Sequence, residues 1–268
     1  MSLRTVPESL RIDPGAAVAA ITESIRGFLS EAQLRNVVLG LSGGVDSAVV
    51  AALCVKAAGA EAVTPFILPY HQSSPASAKD AREVATQLGL TPVQVDLSPV
   101  ADPLFDVRHP DPVRKGNALA RLRMIVLFDA AKELNALVAG TGNKTETYMG
   151  YCTWYGDSAC SFAPIAALYK SQVWALAEHL DLPEAVISKA PTADLWPGQT
   201  DEGELGLSYE EMDNILHALV DLRKTPDQVI ATGHPRESVN KVVDTMRRTE
   251  FKRRLPPVAR VTRTSGTA

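Results

Sequence analysis

The sequence is poor in the features that mark several large classes of protein. Its 268 residues include only three cysteines, Cys54, Cys152 and Cys160, in no C-x-x-C arrangement, so neither a disulfide framework nor a zinc site is indicated. No apolar run approaches the roughly 18 residues that a membrane span requires, and the N-terminus has no segment typical of a signal peptide. The net charge of −4 disfavours nucleic acid as a main partner. We therefore expect a cytoplasmic protein that binds neither nucleic acid nor a membrane.

The rest of the composition is that of an ordinary globular chain. Apolar residues make up 46% of the sequence and charged residues 22%, and the length is sufficient for a substantial core. No internal repeat, low-complexity block or interdomain linker is visible in the sequence. We expect a single domain over residues 1–268, with flexible ends at residues 1–13 and 257–268.

The order of predicted elements indicates a parallel sheet. Strands are predicted at residues 36–41, 61–68, 92–97 and 136–140, and helices at residues 14–29, 46–58, 75–88, 117–134, 171–180, 208–222 and 237–249. The proline-rich residues 98–116 are expected to form a loop, and residues 191–206 a mobile loop. Alternating strands and helices predict an α/β fold with a doubly wound parallel sheet flanked by helices. Such sheets bind ligands at the carboxyl ends of their strands.

The most informative segment directly follows the first predicted strand. It reads G-L-S-G-G-V-D-S and consists of Gly40, Leu41, Ser42, Gly43, Gly44, Val45, Asp46 and Ser47. Glycines let successive backbone N–H groups converge on an anion, and the following helix directs the positive end of its dipole to the same point. The segment matches neither G-x-x-x-x-G-K-[ST] nor G-x-G-x-x-G. It therefore predicts a phosphate-binding loop unlike those of kinases and of dinucleotide-binding oxidoreductases.

Asp46 places a carboxylate where a phosphate is expected. Like charges repel, so this residue is best explained by a Mg²⁺ ion that bridges the carboxylate and the phosphate. The alternative is structural, with Asp46 or Ser47 capping the helix while the glycines form a turn. The complete S-G-G-x-D-S segment, between a strand and an apolar helix, favours the phosphate-binding interpretation.

The same segment resembles the loop of the ATP pyrophosphatases, whose fold is adenine nucleotide alpha-hydrolase-like. Members of this superfamily cleave ATP to AMP and pyrophosphate while they activate a carbonyl or carboxylate. They include GMP, asparagine, argininosuccinate and NAD synthetases and tRNA-thiolating enzymes. The octet alone does not distinguish between these members.

Four later segments resemble the NAD synthetase family, and they occur in the order found in that family. They are G-N-A-L-A-R-L-R-M at residues 116–124, G-T-G-N-K-T-E at 140–146, Y-G-D-S-A-C-S-F-A-P-I-A-A-L-Y-K at 155–170 and K-A-P-T-A-D-L-W-P-G-Q-T-D-E-G-E-L-G at 189–206. The resemblance extends over nearly the whole chain and is closest to the ammonia-dependent members.

The resemblance implies an ATP site and a metal site. ATP contacts are assigned to the octet and to Thr141, Lys170 and Thr192, Mg²⁺ ligation to Asp46 and Glu146, and the catalytic roles to Asp46 and Lys170. A capping role for Thr141 and a solvated position for Glu146 are the structural alternatives. Lys170 precedes a predicted helix, where the dipole disfavours a cation unless an anion compensates.

The resemblance also implies a deamido-NAD site, at which this sequence departs from the family pattern. The implied contacts are Arg121, Trp154, Ser161, Phe251 and Lys252. Trp154 stands in the place of a usual lysine, Ser161 in that of an aspartate and Phe251 in that of a histidine. Arg121 and Arg123 fall in the first turns of the helix predicted from residue 117, where a nearby anion would compensate the helix dipole. For Arg121 and Lys252, a solvated surface charge is the alternative.

The reaction implied by the resemblance consumes ATP, deamido-NAD and ammonia and yields NAD, AMP and pyrophosphate through an adenylated carboxylate, in a homodimer. The chain has no room for a glutaminase domain, so free ammonia or a separate glutaminase is the expected nitrogen source. No Cys–His or Ser–His arrangement indicates a covalent nucleophile. The rival functions are a tRNA-thiolating enzyme, which should carry a basic extension and a reactive cysteine pair, and a non-catalytic adenine-nucleotide sensor, which needs only the loop.

Overall fold

The computed structural model describes residues 6–192 and 199–259, and it confirms the predicted parallel sheet. Within these residues the strands are β1 (Asn36–Gly40), β2 (Val63–Ile67), β3 (Val93–Gln94) and β4 (Ala136–Val138). They pair in parallel in the order β3-β2-β1-β4. β1 is central, with Val37 opposite Val63 of β2 and Leu137 of β4. The carboxyl ends of β1 and β4 are therefore neighbours.

Helices account for most of the remaining described chain. They are α1 (Pro14–Glu31), α2 (Val45–Ala58), α3 (Pro75–Gln87), α4 (Ser98–Arg108), α5 (Pro112–Glu133), α6 (Lys144–Met149), α7 (Lys170–His179), α8 (Glu184–Ser188), α9 (Asp201–Leu205), α10 (Tyr209–Leu216), α11 (Pro226–Ala231) and α12 (Arg236–Arg248). Among the described residues, no helix is both long and apolar enough to cross a lipid bilayer.

Helices cover both faces of the sheet because successive strand residues point to opposite sides. Val38 of β1 packs in one core with Leu127 of α5. Val37 and Leu39 belong to the larger core on the other face, which includes Val49 of α2. α2 is apolar on nearly every side because it lies between the sheet and helices α1 and α7. The doubly wound architecture predicted from the sequence is confirmed.

The prediction of a loop at residues 98–116 is wrong, because this stretch contains α4 and the start of α5. The prolines mislead, since Pro99 and Pro112 lie in the first turns of their helices, where the missing N–H costs nothing. His109, at φ 41°, ends α4 in the left-handed conformation. Asp111 then caps α5 by accepting a hydrogen bond from the Arg114 amide at 2.9 Å. α5 consequently begins at Pro112, before the predicted start at residue 117.

Other boundaries also differ. β3 is limited to two residues, and the helix predicted at 208–222 is α10 followed by a π-helical turn at His217–Asp221. The short helices α6, α8, α9 and α11 were not predicted. Of the mobile loop expected at 191–206, residues 193–198 lie outside the described part, and α9 occupies part of the remainder. Residues 1–5 and 260–268, within the ends expected to be flexible, also lie outside it.

Candidate active site

A cavity of about 490 Å³ opens at the carboxyl ends of β1 and β4, where the sequence predicted chemistry. This volume lies within the range of roughly 300–1,000 Å³ that is usual for small-molecule sites. The loop at residues 40–47 lines one side of the cavity, and Thr141 lies after β4. α6 contributes Glu146, and α7 contributes Lys170. Residues that are distant in sequence therefore surround one space.

The loop after β1 is braced by its own serines. Ser47 Oγ donates to the Gly44 carbonyl at 3.0 Å and accepts from the Ser42 amide at 3.2 Å. Ser42 Oγ accepts from the Gly44 amide at 3.2 Å. The two hydroxyls therefore fix the loop itself, in addition to the ATP contacts that the family resemblance assigned to the octet. The first N–H groups of α2, which have no acceptor within the helix, are what the loop presents to an anion.

Gly43 is the residue of this loop that needs to be glycine. Its φ of 80° lies in the left-handed region, and an added Cβ would lie 2.2 Å from the carbonyl oxygen of Ser77 at the start of α3. Both the conformation and the close approach of two backbones exclude a side chain. The loop is thereby held against α3.

Asp46 lies at the centre of the polar groups on the cavity floor. It forms an ion pair with Lys170, whose side chain is 3% exposed, and accepts a hydrogen bond from Asn143 Nδ2 at 3.0 Å. Burial alone would lower the pKa of Lys170, but the charges of Asp46 and Glu146 outweigh it and raise that pKa above its ordinary value. Lys170 is therefore a buried ammonium group that is charged at neutral pH.

Glu146 lies beside this ion pair and is held by the residue that caps its helix. Asn143 Oδ1 accepts from the Glu146 amide at 2.9 Å, and Glu146 Oε2 accepts from the Asn143 amide at 3.1 Å. Loss of hydration, followed by the charge of Asp46, raises the pKa of Glu146 to about 8. Two carboxylates thus face one cavity, and a bound cation would offset the electrostatic repulsion between them.

Asn143 is a site residue that the sequence analysis did not single out. Its amide joins Asp46 on α2 to Glu146 on α6, and the side chain is completely buried. A signal was available, because N-K-T-E at residues 143–146 is a capping-box pattern and predicts a helix start at this position.

A second layer of polar residues, also missed, lies on the far side of Lys170. Asp201 is 4% exposed and accepts hydrogen bonds from the hydroxyls of Tyr209 at 2.9 Å and Tyr151 at 3.1 Å. The Tyr151 hydroxyl lies 2.6 Å from Glu204. Burial raises the pKa of Asp201, although its charge interacts favourably with Lys170. This layer places a further buried carboxylate, that of Asp201, near the ammonium group of Lys170.

Comparison with known proteins identifies the family. A family model described as NAD synthase matches residues 17–256. The chain belongs to the NAD synthase family. An NH(3)-dependent NAD(+) synthetase of Fusobacterium nucleatum is 42% identical over 244 residues, which cover 91% of this chain and 95% of that protein.

Two solved structures share both fold and sequence with the chain. An NMN synthetase from Francisella tularensis superposes with a TM-score of 0.84 at 32% identity, covering 94% of this chain and all of that one. An NH3-dependent NAD synthetase from Campylobacter jejuni superposes with a TM-score of 0.81 at 32% identity, covering 93% of this chain and all of that one. The predicted family membership is confirmed.

The residues that family resemblance assigned to ATP lie together. Thr141, Lys170 and Thr192 line the cavity with the loop, although they are contributed by separate parts of the chain. Lys170 is the first residue of α7, which begins one residue earlier than predicted, and Asp46 is the anion that compensates its position at the helix N-terminus. The role of each residue toward ATP stays a prediction.

The residues assigned to deamido-NAD are more dispersed. Trp154 stacks on Tyr155 at a centroid distance of 4.5 Å and contacts Phe251 edge-on at 5.3 Å, forming an aromatic patch at the surface. Arg121 joins this patch through a 3.2 Å hydrogen bond to the Trp154 carbonyl. The dipole argument for Arg121 and Arg123 is wrong, because α5 begins at Pro112 and both residues lie well inside the helix.

Two of these assigned residues have structural partners. Lys252 lines the cavity, and its ammonium group donates to the carbonyls of Gly150 at 2.7 Å and Cys152 at 2.6 Å. Ser161 Oγ accepts from the Val138 amide of β4 at 3.1 Å, and Ser161 is not among the residues that line the cavity. In this conformation Ser161 completes the edge of the sheet.

Proposed function

We propose that this chain catalyses the ATP-dependent amidation of deamido-NAD by ammonia, with release of AMP and pyrophosphate. The observation that carries this proposal is the grouping of Asp46, Glu146 and Lys170 on the floor of a cavity whose wall is a phosphate-binding loop. A nucleotide sensor needs the loop alone. Two carboxylates and a buried ammonium group at the same point are the groups that cleavage of a phosphoanhydride requires.

The proposed chemistry proceeds in two steps. The nicotinate carboxylate attacks the α-phosphorus of ATP and displaces pyrophosphate, while N–H groups of the loop and the Lys170 ammonium stabilise the negative charge that develops on the phosphates. Ammonia then attacks the carbonyl carbon of the resulting acyl-adenylate and displaces AMP. Neither step needs a covalent nucleophile from the protein.

Mg²⁺ is the proposed metal, held by Asp46 and Glu146. The fit rests on their chemistry, since both are hard oxygen donors and the pKa of Glu146 is raised to about 8 by burial and the charge of Asp46. Among the described residues, no group of three or more His, Cys, Asp and Glu side chains is arranged to hold a metal. This suits Mg²⁺, which usually takes one or two carboxylates and completes its shell with water and substrate phosphates. The bound ion would neutralise pyrophosphate as it leaves.

The cysteines argue against the tRNA-thiolating alternative. Of the three, only Cys152 lines the cavity, so there is no reactive pair in it. Burial and the charge of Asp157 raise the pKa of the Cys152 thiol to about 11. The thiol is therefore protonated at neutral pH and is a poor nucleophile.

A second candidate substrate is the smaller nicotinate mononucleotide. The structural similarity to an NMN synthetase motivates it, together with the aromatic patch of Trp154, Tyr155 and Phe251. Where the family resemblance implies a lysine and a histidine on the substrate side, this chain has Trp154 and Phe251. Fewer charged groups mean a weaker hold on the second nucleotide of deamido-NAD.

One assay distinguishes these functions. With ATP, Mg²⁺ and ammonium, we expect pyrophosphate release to depend on a nicotinate nucleotide, and activity to rise with pH toward the pKa of ammonium because only NH₃ has the attacking lone pair. Deamido-NAD and nicotinate mononucleotide are compared at equal concentration, and glutamine replaces ammonium as a control. If neither deamido-NAD nor nicotinate mononucleotide supports pyrophosphate release, the proposal is contradicted. A higher kcat/KM for the mononucleotide would select the second substrate.

We propose further that the protein is a homodimer through the outer faces of α4 and α5. Large apolar side chains project from these helices, including Val107 at 78% and Ile125 at 65% exposure. The others are Val100, Leu104, Val113 and Phe128. Several exposed large apolar side chains on two consecutive helices are typical of a subunit interface.

Sedimentation equilibrium tests the dimer. We expect a mass near twice the 28.7 kDa of one chain, and a shift toward the monomer when Ile125 is replaced by aspartate, because a charge at an apolar interface loses its hydration. Ile21→Asp on α1 is not a suitable control, since Ile21 packs on the core. Leu255→Asp is suitable, because Leu255 is 90% exposed and lies on neither helix. A monomer at micromolar concentration would contradict the assignment.

A further inference from the structure

The helix that carries Lys170 is capped by residues from other helices. Tyr169 occupies the N-cap position of α7, and its side chain makes no capping hydrogen bond. Instead the Lys170 amide donates to Thr145 Oγ1 at 3.0 Å, and the Ser171 amide donates to Asp213 Oδ2 at 2.8 Å. Thr145 belongs to α6 and Asp213 to α10. The start of α7 is therefore positioned by two neighbouring helices.

Asp213 also holds α6. Its second oxygen, Oδ1, accepts a hydrogen bond from the Thr145 hydroxyl at 2.5 Å, so one carboxylate joins the first turns of α6 and α7. Both Asp213 and Thr145 are completely buried. Thr145 is adjacent to Glu146, and Ser171 is adjacent to Lys170. On each helix, the residue that the carboxylate contacts is therefore the direct neighbour of a residue on the cavity floor.

The chemistry of this position explains why an aspartate occupies it. The Thr145 hydroxyl already accepts from the Lys170 amide, so its proton has to be accepted by another group, and the Ser171 amide needs a second acceptor. A carboxylate offers an acceptor oxygen to each donor, whereas a carboxamide offers only one. The negative charge also lies at the N-termini of two helices, where their dipoles stabilise it.

We infer that Asp213 is a positioning residue for the reaction, which sets the Lys170 ammonium relative to Asp46 and Glu146 by tying α6 to α7. The inference rests on the proposed function of the cavity. Asp213 does not line the cavity, so its role is not direct contact with ATP or the acceptor. The part of this role that is transmitted through Lys170 is the property that an experiment can isolate.

Asp221 provides a matched control because it joins the same two helices through side chains. It accepts hydrogen bonds from the Lys144 ammonium group on α6 and from the Tyr169 hydroxyl at 3.0 Å before α7. Its side chain is 33% exposed. Asp221→Asn therefore disturbs the same pair of helices without altering the backbone caps of Lys170 and Ser171.

The test is a double-mutant cycle between Asp213→Asn and Lys170→Met. In the wild-type background, Asp213→Asn is expected to lower kcat by roughly tenfold to 100-fold and to weaken ATP binding in calorimetry, because small displacements of catalytic groups carry losses up to about 100-fold. In the Lys170→Met background, the same substitution should change ATP affinity less than about twofold, since its target is gone. Asp221→Asn should leave kcat within about twofold of wild type, because it weakens a partly exposed ion pair and leaves both backbone caps in place.

If Asp213→Asn lowers ATP affinity equally in the wild-type and Lys170→Met backgrounds, the inference is overturned, because the residue would then act on stability alone. If Asp213→Asn does not fold, Thr145→Val and Thr145→Ser replace it, since valine removes the hydroxyl and serine retains it. We then expect loss of activity with valine and recovery with serine, and equal activity of the two variants would overturn the inference. A wild-type protein that neither binds ATP nor releases pyrophosphate would instead refute the proposed function.

Discussion

Replacing Asp46 by asparagine is expected to lower the rate of pyrophosphate release roughly 100- to 1,000-fold, the range observed when one preorganised electrostatic group is removed from an active site. Asp46 is the partner of Lys170 and, in the proposed function, one of two Mg²⁺ ligands. The amide is neutral, so it binds Mg²⁺ weakly and no longer fixes the ammonium group. Retention of more than a tenth of the wild-type rate would contradict the assignment.

The same substitution is expected to destabilise the protein. Lys170 is 3% exposed, and without Asp46 its charge keeps only the more distant carboxylates as compensation. Loss of a hydrogen bond between charged groups should lower the free energy of unfolding by about 1.5–3 kcal/mol. Urea denaturation measures this loss, and the Asp46→Asn/Lys170→Met double variant is the control. It should be more stable than the Asp46→Asn variant, because no ammonium group stays buried without its ion-pair partner.

The first βα unit could be predicted from the sequence because its determinants are local. β1, the loop at residues 40–47 and α2 follow one another without interruption, and each is marked by its own pattern of apolar residues or glycines. Family resemblance extended this prediction to Glu146 and Lys170, which the structure places beside Asp46. Agreement was best where a short stretch of chain fixes its own conformation.

The long-range contacts of the supporting residues could not be predicted, because the partners are distant in sequence. Asp213 binds the amide of Ser171, 42 positions earlier, and Asn143 reaches Asp46 across 97 positions. Each is one of many polar residues on a helix, and only the packing of α6, α7 and α10 selects it. The prolines at the starts of α4 and α5 caused a different error, because they led to the prediction of a loop where two helices begin. Proline is common in the first turn of a helix as well as in loops.

Replacing Glu146 by glutamine is expected to abolish activity to a similar extent as Asp46→Asn but to change stability in the opposite direction. The pKa of Glu146 is raised from 4.5 to about 8 by burial and by the charge of Asp46. The folded protein therefore binds more protons than the unfolded chain between these values, and its stability falls as pH rises through this window. Glutamine does not ionise, so the variant does not lose stability in this pH window. Its side-chain oxygen can still accept a hydrogen bond from the Asn143 amide.

Thermal unfolding from pH 5 to pH 9 in the presence of a chelator measures the effect. The Glu146→Gln variant and wild type should have similar melting temperatures near pH 5, and the variant should melt higher above pH 8. Glu250→Gln, which makes the same charge change in an exposed pair with Arg254, should show no such gain.

Addition of Mg²⁺ with ATP should then stabilise the wild type more than the variant, because only the wild type has both carboxylates. A variant that is less stable than wild type at pH 8.5 would show that Lys170 already compensates Glu146 in full. A destabilising carboxylate that the protein nevertheless keeps is what a metal-dependent active site requires.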